Sequence, residues 1–372
     1  MGLSVQTKLV YRIPSILISF EKVFLMEKKI AIKGLCLKEV EEKLTREGFP
    51  SFRARQIFHW LYQQKVSSFQ EMSNLPKKLL SWLDFVLIIE QMKPIKIQKS
   101  RDGSEKFLFQ LNDGQLIESV LIRNKKRNTI CISSQVGCLW NCLFCASGKG
   151  GFKRNLSTGE IIEQVLSVQK LTKEMIHNIV FMGMGEPFNN YNNVMKSIQI
   201  INSKQGINIG ARKITISTCG IIPGIVKLMA YPMQIELSVS LHSADEKTRS
   251  VLMPVNNKYP LQELVNACRN YVRKKKRQVT FEYLMLRGIN DSIEQANKLI
   301  HLIMDFDAKV NLIIYNPIDN QTNLLPSDEQ TIFIFQRVLK ENHIPVTIRH
   351  SRGQDINAAC GQLRNGYINY TW

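Results

Sequence analysis

Cys138-Leu-Trp-Asn-Cys142-Leu-Phe-Cys145 sets three thiols in a C-x3-C-x2-C pattern. Thiolates are soft donors that take zinc or iron. A structural zinc site wants four protein ligands in a tetrahedron, and no Cys or His follows within thirty residues downstream of Cys145. The same three thiolates suffice for three irons of a [4Fe–4S] cluster, whose fourth iron is then open to a small molecule carrying an amine and a carboxylate. A zinc knuckle stays open as the alternative. Two more cysteines have suggestive settings. Cys131 precedes the triplet in an apolar run, and Cys360 lies in Arg349-His-Ser-Arg-Gly-Gln-Asp-Ile-Asn-Ala-Ala-Cys360-Gly-Gln-Leu363, a Gly-flanked segment that reads as mobile. Cys36, Cys219 and Cys268 read as structural.

The elements that must position these groups follow from periodicity. From Leu37 to Phe85 apolar residues recur at helical spacing (Val40, Leu44; Ile57, Trp60, Leu61; Leu79, Leu80, Leu83), which predicts a small helical domain. Its Arg53, Arg55, Lys65, Lys77 and Lys78 stand among Phe52, Phe58, Trp60, Tyr62 and Trp82, a mixture that suits RNA and equally suits a small core. Between Lys96 and Arg127 the period changes to two, with turns at Asp102-Gly103 and Asp113-Gly114, as in short antiparallel strands. On this pattern Glu118 shares a face with Leu116 and Val120. Beyond Thr129, strand-like runs (Thr129–Ser133, Asn178–Met182, Lys213–Ser217, Ile235–Val239, Val279–Met285, Lys309–Tyr315, Val346–Ile348) alternate with helical stretches. That alternation predicts an α/β domain on a parallel sheet, open or closed into a barrel.

The polar groups then fall into order. Met184-Gly-Glu-Pro187, Ser217-Thr218, Ser240-Leu-His242 and Asn316-Pro317 each end a predicted strand. The carboxyl edge of a parallel sheet is where sites are built, so the series implies one shared pocket although each member alone is weak.

Lys and Arg total 50 against 31 Asp and Glu, a net charge of +19 over 372 residues. With 44% hydrophobic residues the chain has ample material for a core, which excludes a disordered protein. Eight cysteines are too few for a disulfide scaffold. No run approaches the roughly 18 uncharged apolar residues of a membrane span, and Arg12 and Pro14 break the most apolar N-terminal stretch. Such a surplus of positive charge points to a polyanionic partner, either nucleic acid or a membrane surface, with a solubility surface that has no partner as the alternative. Lys125, Lys126, Arg127, Lys149, Lys153 and Arg154 flank the triplet loop and are better placed for such a partner than the Arg273–Arg277 run, which ends a helix before a strand. Residues 1–25 form a leader before Met26 with no small-residue cleavage site, which argues against a removed signal.

Taken together, Gln135-Val-Gly-Cys138-x3-Cys142-x2-Cys145, Gly183-Met-Gly-Glu-Pro187 and Asp355-Ile-x-Ala-Ala-Cys360-Gly-Gln-Leu363 resemble the dual-specificity ribosomal RNA and transfer RNA adenine carbon-2 methyltransferase family of the radical S-adenosylmethionine superfamily. The match runs from about Lys33 to Leu363. It implies a partial (β/α)6 barrel over residues 128–350, a helical RNA-binding accessory domain over 26–95, a β extension over 96–127 and a C-terminal segment over 351–372. Implied cofactors are one [4Fe–4S] cluster per chain on Cys138, Cys142 and Cys145, and two S-adenosylmethionine molecules consumed per methylation. The cofactor contacts map to Gly185, Glu186, Ser217, Ser240, Leu241, His242 and Asn316.

Carbon 2 of adenine is an sp2 position with little nucleophilicity, which calls for a radical route, whereas a thiolate takes a methyl group directly. In the family scheme Cys360 is methylated first, a 5′-deoxyadenosyl radical removes a hydrogen from that methyl, and the carbon radical adds to the base. Glu118 then matches the proton acceptor, and Cys131 attacks Cys360 to release the RNA, leaving a transient disulfide. The resemblance further implies 23S ribosomal RNA and transfer RNA as substrates, an electron donor such as a flavodoxin-type reductase system, no membrane, a monomer and a cytoplasmic location. A carbon-8 adenine methyltransferase, a different radical enzyme and a non-enzymatic zinc RNA-binding protein are the competing readings.

Overall fold

A computed structural model of the chain describes residues 29–124, 127–318 and 323–363. The leader, Lys125 and Lys126 lie outside the described residues. The helical N-terminal part holds α1 (Leu37–Arg46), α2 (Arg53–Phe58) and α3 (Lys77–Val86), framed by the paired short strands β1 (Ile30–Ala31) and β2 (Leu87–Ile88). At the start of α1 the Glu39 carboxylate accepts the Cys36 backbone N–H at 2.6 Å, satisfying a donor the helix leaves open. Val40 and Leu44 of α1, Ile57 of α2 and Leu79 and Leu83 of α3 are fully buried, as the spacing predicts. The aromatics divide: Phe58 and Tyr62 belong to this core, whereas Phe52 is exposed with the Arg53 guanidinium over its ring.

Four antiparallel strands follow: β3 (Pro94–Lys99), β4 (Glu105–Gln110), β5 (Leu116–Asn124) and β6 (Arg127–Cys131). Their two tight turns place Gly103 and Gly114 at φ of +86° and +80°, and Asp102 and Asp113 each accept the N–H two residues on. After the short pair β7 (Gln135–Val136) and β8 (Arg154–Asn155) the chain alternates: α4 (Thr158–Thr172), β9 (Asn178–Phe181), α5 (Tyr191–Asn202), β10 (Ile214–Thr218), α6 (Ile222–Ala230), β11 (Glu236–Ser240), α7 (Glu246–Leu252), α8 (Leu261–Lys275), β12 (Val279–Met285), α9 (Ile293–Ile303), β13 (Ala308–Ile314), α10 (Glu329–Glu341) and β14 (Val346–Arg349).

All seven predicted runs are strands, in one ten-stranded sheet ordered β14-β13-β12-β11-β10-β9-β6-β5-β4-β3. From β6 to β14 every pairing is parallel; from β6 to β3 every pairing is antiparallel. The parallel part comprises six helix-bearing crossovers and a seventh strand, and its ends do not pair, so the arc stays open. The antiparallel strands extend the same sheet through β6 and are not a separate linker layer.

Two expectations need correction. In β5 both faces are covered, since Ile117, Glu118, Ser119, Val120 and Leu121 are all buried. Face-sharing with Leu116 and Val120 therefore does not mark Glu118; its burial and its 3.2 Å ion pair with Lys106 do. The segment carrying Cys360 is tied by three hydrogen bonds to the β3–β4 hairpin and is not a loose end. Asp102 accepts the Gly353 N–H at 2.8 Å, Asp355 accepts Ser100 Oγ at 2.6 Å, and Lys106 Nζ donates to the Asn357 carbonyl at 3.1 Å. The β3–β4 hairpin is thus a cradle for the end of the chain.

Lys33, just before α1, pairs with Glu163 of α4, and both are buried. Glu163 also accepts the Ser167 hydroxyl and the Met92 N–H, which joins the helical part to the sheet domain. Removing one member of a buried pair strands the other charge. Glu163→Ala is therefore expected to cost about 3 kcal/mol in urea unfolding, whereas Lys298→Ala, at a solvent-exposed pair, should shift the unfolding midpoint far less.

Candidate active site

The triplet loop leaves β7 through Gly137, whose φ is +74° and whose missing Cβ would fall 1.8 Å from the Gly151 carbonyl oxygen. Any side chain there would collide with the loop's own return. Gly185, at φ +94°, is pressed equally closely: a Cβ would meet Gln135 Cβ at 2.4 Å. Gln135 reciprocates by accepting the Glu186 N–H at 2.8 Å. The loop after β9 and the strand before the triplet therefore set each other's position.

These loops enclose one cavity at the carboxyl edge of the parallel strands. Of the predicted residues, Cys138, Cys142, Cys145, Gly185, Glu186, Ser217, Ser240, His242 and Cys360 line it. Four do not. Leu241 has its side chain fully buried, the Asn316 amide is held by Ser351 Oγ at 2.7 Å and by Gln354 at 2.8 Å, Cys131 lies buried in β6, and Glu118 is sunk in its pair with Lys106. Those four can act only through backbone, through a neighbour or after movement.

Cys360 reaches the cavity by direct stitching to the triplet loop. The Ala146 N–H donates to the Gly361 carbonyl at 2.7 Å, and Ser147 Oγ donates to the Leu363 carbonyl at 2.6 Å. Gln362 donates to the Pro317 carbonyl at 3.1 Å, which fastens the same segment to the loop after β13. Cys360 keeps accessible surface, yet that surface faces the cavity, and the surrounding protein raises its thiol pKa. Burial raises Cys131 strongly, with the Cys360 sulfur as a further contributor, so the two thiols lie within electrostatic reach of each other.

Burial also holds two of the triplet thiols, Cys138 and Cys142, in the neutral form. Cys138 is pushed up to about 12 and Cys142 well above its usual range, each raised further by the neighbouring sulfurs. Such thiols ionise when a cationic centre takes their charge. Among the described residues no three His, Cys, Asp or Glu side chains converge on a point as a single ion requires. Three closely spaced thiols are a donor set that suits three irons of a [4Fe–4S] cluster.

Residues that sequence reasoning missed complete the walls. Cys219, read as structural, lines the cavity, and its N–H donates to Glu186 at 2.7 Å. Glu186 also accepts the Phe188 N–H at 2.9 Å, and burial raises its carboxyl pKa. Arg249 is fully buried behind the wall and donates to the carbonyls of Leu241, Cys219 and Ser240 and to Asn256. Nothing local in the sequence marks Arg249. Glu282, by contrast, is an acidic residue inside an apolar strand run, a signal that was available.

Outside the cavity, Arg154 is committed to Asp113 and Glu160, which removes it from the expected polyanion contacts. Lys149 and Lys153 are exposed on the triplet loop with the exposed ring of Phe152 between them. The Arg273–Arg277 run sits at the opposite, amino edge, where Arg277 pairs with Glu236 and Lys275 donates to the Tyr231 and Met233 carbonyls.

Comparison with known proteins agrees with this geometry. The sequence profile of the Radical SAM superfamily matches residues 132–300, and that of the ribosomal RNA large subunit methyltransferase N-terminal domain matches residues 30–89. The chain is 47% identical over 337 residues to a probable dual-specificity RNA methyltransferase RlmN of Geobacillus kaustophilus, covering 90% of this chain and 92% of the relative. It is 45% identical over 339 residues to the Staphylococcus carnosus protein of the same name, covering 90% and 93%. A crystal structure of a radical SAM methyltransferase from Sphaerobacter thermophilus superposes with a TM-score of 0.86 at 43% identity, over 90% of this chain and 99% of that one.

His242 gives the site a pH signature. Its Nδ1 accepts the Leu284 N–H at 3.0 Å, and burial lowers its pKa from 6.5 to about 3. The unfolded chain binds a proton below pH 6.5 that the native chain refuses, so stability falls as pH drops from 6.5 toward 3. Relative to His242→Asn, the wild-type protein should lose about 2 kcal/mol of unfolding free energy between pH 7 and pH 5, near 1.36 kcal/mol per unit below 6.5. Parallel urea titrations at the two pH values check this.

Proposed function

Since the chain belongs to the RlmN family of radical S-adenosylmethionine RNA methyltransferases, we propose that it methylates carbon 2 of a specific adenosine in 23S ribosomal RNA and in transfer RNA through a methylated Cys360. The observation that carries this reading is the seating of Cys360 in the triplet cavity by the Gly361–Ala146 hydrogen bond. A thiol at that position can accept a methyl group and then present it to a base entering from solvent.

Superfamily membership implies S-adenosylmethionine and a [4Fe–4S] cluster. In this proposal one cluster per chain is held by Cys138, Cys142 and Cys145, and it supplies the electron for reductive cleavage of S-adenosylmethionine, two molecules of which serve each methylation. Gly185, Glu186, Ser217, Ser240 and His242 hold the cofactor from the cavity wall, with Leu241 and Asn316 contributing through the backbone. The buried Glu186 carboxylate is suited to the cofactor's ammonium group.

Glu118 is proposed to take the proton from the adduct. It sits one ion pair from the Cys360 segment, because Lys106 holds both Glu118 and the Asn357 carbonyl. Cys131 resolves the adduct: its thiolate bonds to the Cys360 sulfur as the bond from that sulfur to the methylene carbon breaks. The electron pair leaves on the carbon, a proton completes the methyl group, and cytosolic thiols reduce the resulting disulfide by exchange. The high thiol pKa of the buried Cys131 matches a group that attacks late, after the RNA is bound and the segment has shifted.

Residues 26–95 serve as the RNA-binding accessory domain and 96–127 as its β extension to the barrel of 128–350, with 351–372 carrying the methyl group. Lys149 and Lys153 are the cavity-side contacts for RNA phosphate. The remaining parts of the reading are a monomer in the cytoplasm, fed by an electron donor such as a flavodoxin-type system. Among the described residues no helix is long and apolar enough to cross a membrane.

Cys131→Ala expressed in cells is expected to carry RNA covalently on Cys360, visible as a slow, ribonuclease-sensitive band in denaturing gels. Loss of the band in Cys131→Ala/Cys360→Ala, and 2-methyladenosine in digests of RNA treated with the wild-type enzyme, complete the expected pattern. Absence of trapped RNA from Cys131→Ala while wild-type activity is normal would refute the two-cysteine route, and 8-methyladenosine in the digests would move the reaction to the other carbon.

A further inference from the structure

Glu282 is the one cavity carboxylate that the reading above leaves without a task. It lies in β12, where Phe281 and Tyr283 are fully buried on the helix side, against Phe306 and Phe335. Alternation turns Glu282 and Leu284 the other way, and both line the cavity. One carboxylate oxygen is well occupied: Oε1 accepts Ser238 Oγ at 2.6 Å and Asn311 Nδ2 at 3.1 Å, and stands 3.7 Å from Arg349. The other, Oε2, is buried and has no hydrogen-bond partner among the described residues.

An unpaired carboxylate oxygen inside a protein is costly unless a ligand supplies the donor. Ser238, Asn311 and Arg349 hold the group rigidly, so Oε2 is aimed in advance. A carboxylate only accepts, so the missing partner is an N–H or O–H donor. Glu186 lies at the end of β9 near Cys138 and Cys142, and β12 is three strands further along the sheet. Along that edge Glu282 stands three strands from Glu186 and within electrostatic reach of Cys360. A molecule whose amino-acid end meets Glu186 and the triplet thus brings its nucleoside end to Glu282. Leu284 and Ile313 add apolar wall beside it, which suits a purine; of the nucleoside's donors, the adenine amino group and the ribose hydroxyls, the O–H groups make the shorter bond to a carboxylate.

We propose that Glu282 binds the ribose of S-adenosylmethionine, Oε2 accepting a 2′- or 3′-hydroxyl. This rests on the functional reading above and extends its cofactor site by one residue. Ser238, Asn311 and Arg349 act as positioning residues for it.

The test is anaerobic equilibrium dialysis of the cluster-loaded enzyme with labelled S-adenosylmethionine and with its 2′-deoxy and 3′-deoxy ribose analogues. Loss of a hydrogen bond to a charged group predicts that at least one analogue binds wild-type enzyme roughly tenfold to a hundredfold more weakly than the parent. Glu282→Gln keeps an amide oxygen for Ser238 and Asn311. It should bind the parent more weakly by a similar factor and should no longer discriminate against that analogue. Both analogues binding wild-type enzyme as tightly as the parent would overturn the proposal, and this arm stands even if the variant does not fold. So would a Glu282→Gln protein with unchanged cofactor affinity and weakened RNA affinity, since the residue would then serve the substrate. Wild-type enzyme that carries the cluster and binds no S-adenosylmethionine would overturn this proposal together with the reading beneath it.

Discussion

The hydrogen bond from the Ala146 N–H to the Gly361 carbonyl joins two loops from distant parts of the chain, and the arrangement of the cavity hangs on it. One loop carries Cys138, Cys142 and Cys145; the other carries Cys360. A single backbone bond contributes only about 1 kcal/mol net, so its direction matters more than its strength. It is kept in register by Ser147 Oγ on Leu363, by Gln362 on Pro317, and by the hairpin contacts of Asp102 and Asp355. The antiparallel extension thereby has a structural purpose. By adding strands beyond β6 it brings Ser100, Asp102 and Lys106 to the far side of the segment bearing Cys360.

The interior of the cavity is acidic in its chemistry although the protein is strongly basic. Five thiols, Glu186 and Glu282 line it, faced by the guanidinium of Arg249 behind the wall and that of Arg349 beside Glu282. In such surroundings Cys138, Cys142, Cys219 and Cys360 are held toward the neutral form and the carboxylates seek donors. A ligand that brings cationic or hydrogen-bond-donating groups satisfies both, and S-adenosylmethionine carries a sulfonium, an ammonium and two hydroxyls. The positive surplus belongs elsewhere. Part of it is committed internally, as in Arg154 on Asp113 and Glu160 and Arg277 on Glu236, and part stands exposed at Lys149 and Lys153 in the segment that follows the triplet.

Most of the architecture was legible because it rests on periodic burial. Runs such as Val279–Met285 and Lys309–Tyr315 have to be covered on both faces, and alternation with amphipathic helices leaves a parallel sheet as the solution. Glu118 shows where that logic fails. Its strand is covered on both sides by elements far away in the chain, so alternation along β5 carries no information about which carboxylate is exposed. Cys219 and Arg249 were illegible for a related reason. A cysteine after Ser217-Thr218 and an arginine in an amphipathic helix look ordinary until the fold sets one on the cavity wall and the other behind it.

The sequence by itself determined the seven strand runs of the α/β part and the edge of the sheet on which polar groups gather, because these depend on residue type and spacing along the chain. Tertiary structure alone decided that Cys360 meets the triplet, that Asn316 spends its amide on Ser351 and Gln354, and that one oxygen of Glu282 remains unpartnered among the described residues. Those outcomes depend on hydrogen bonds between segments remote in sequence, and no periodicity along the chain encodes which donor will reach which acceptor.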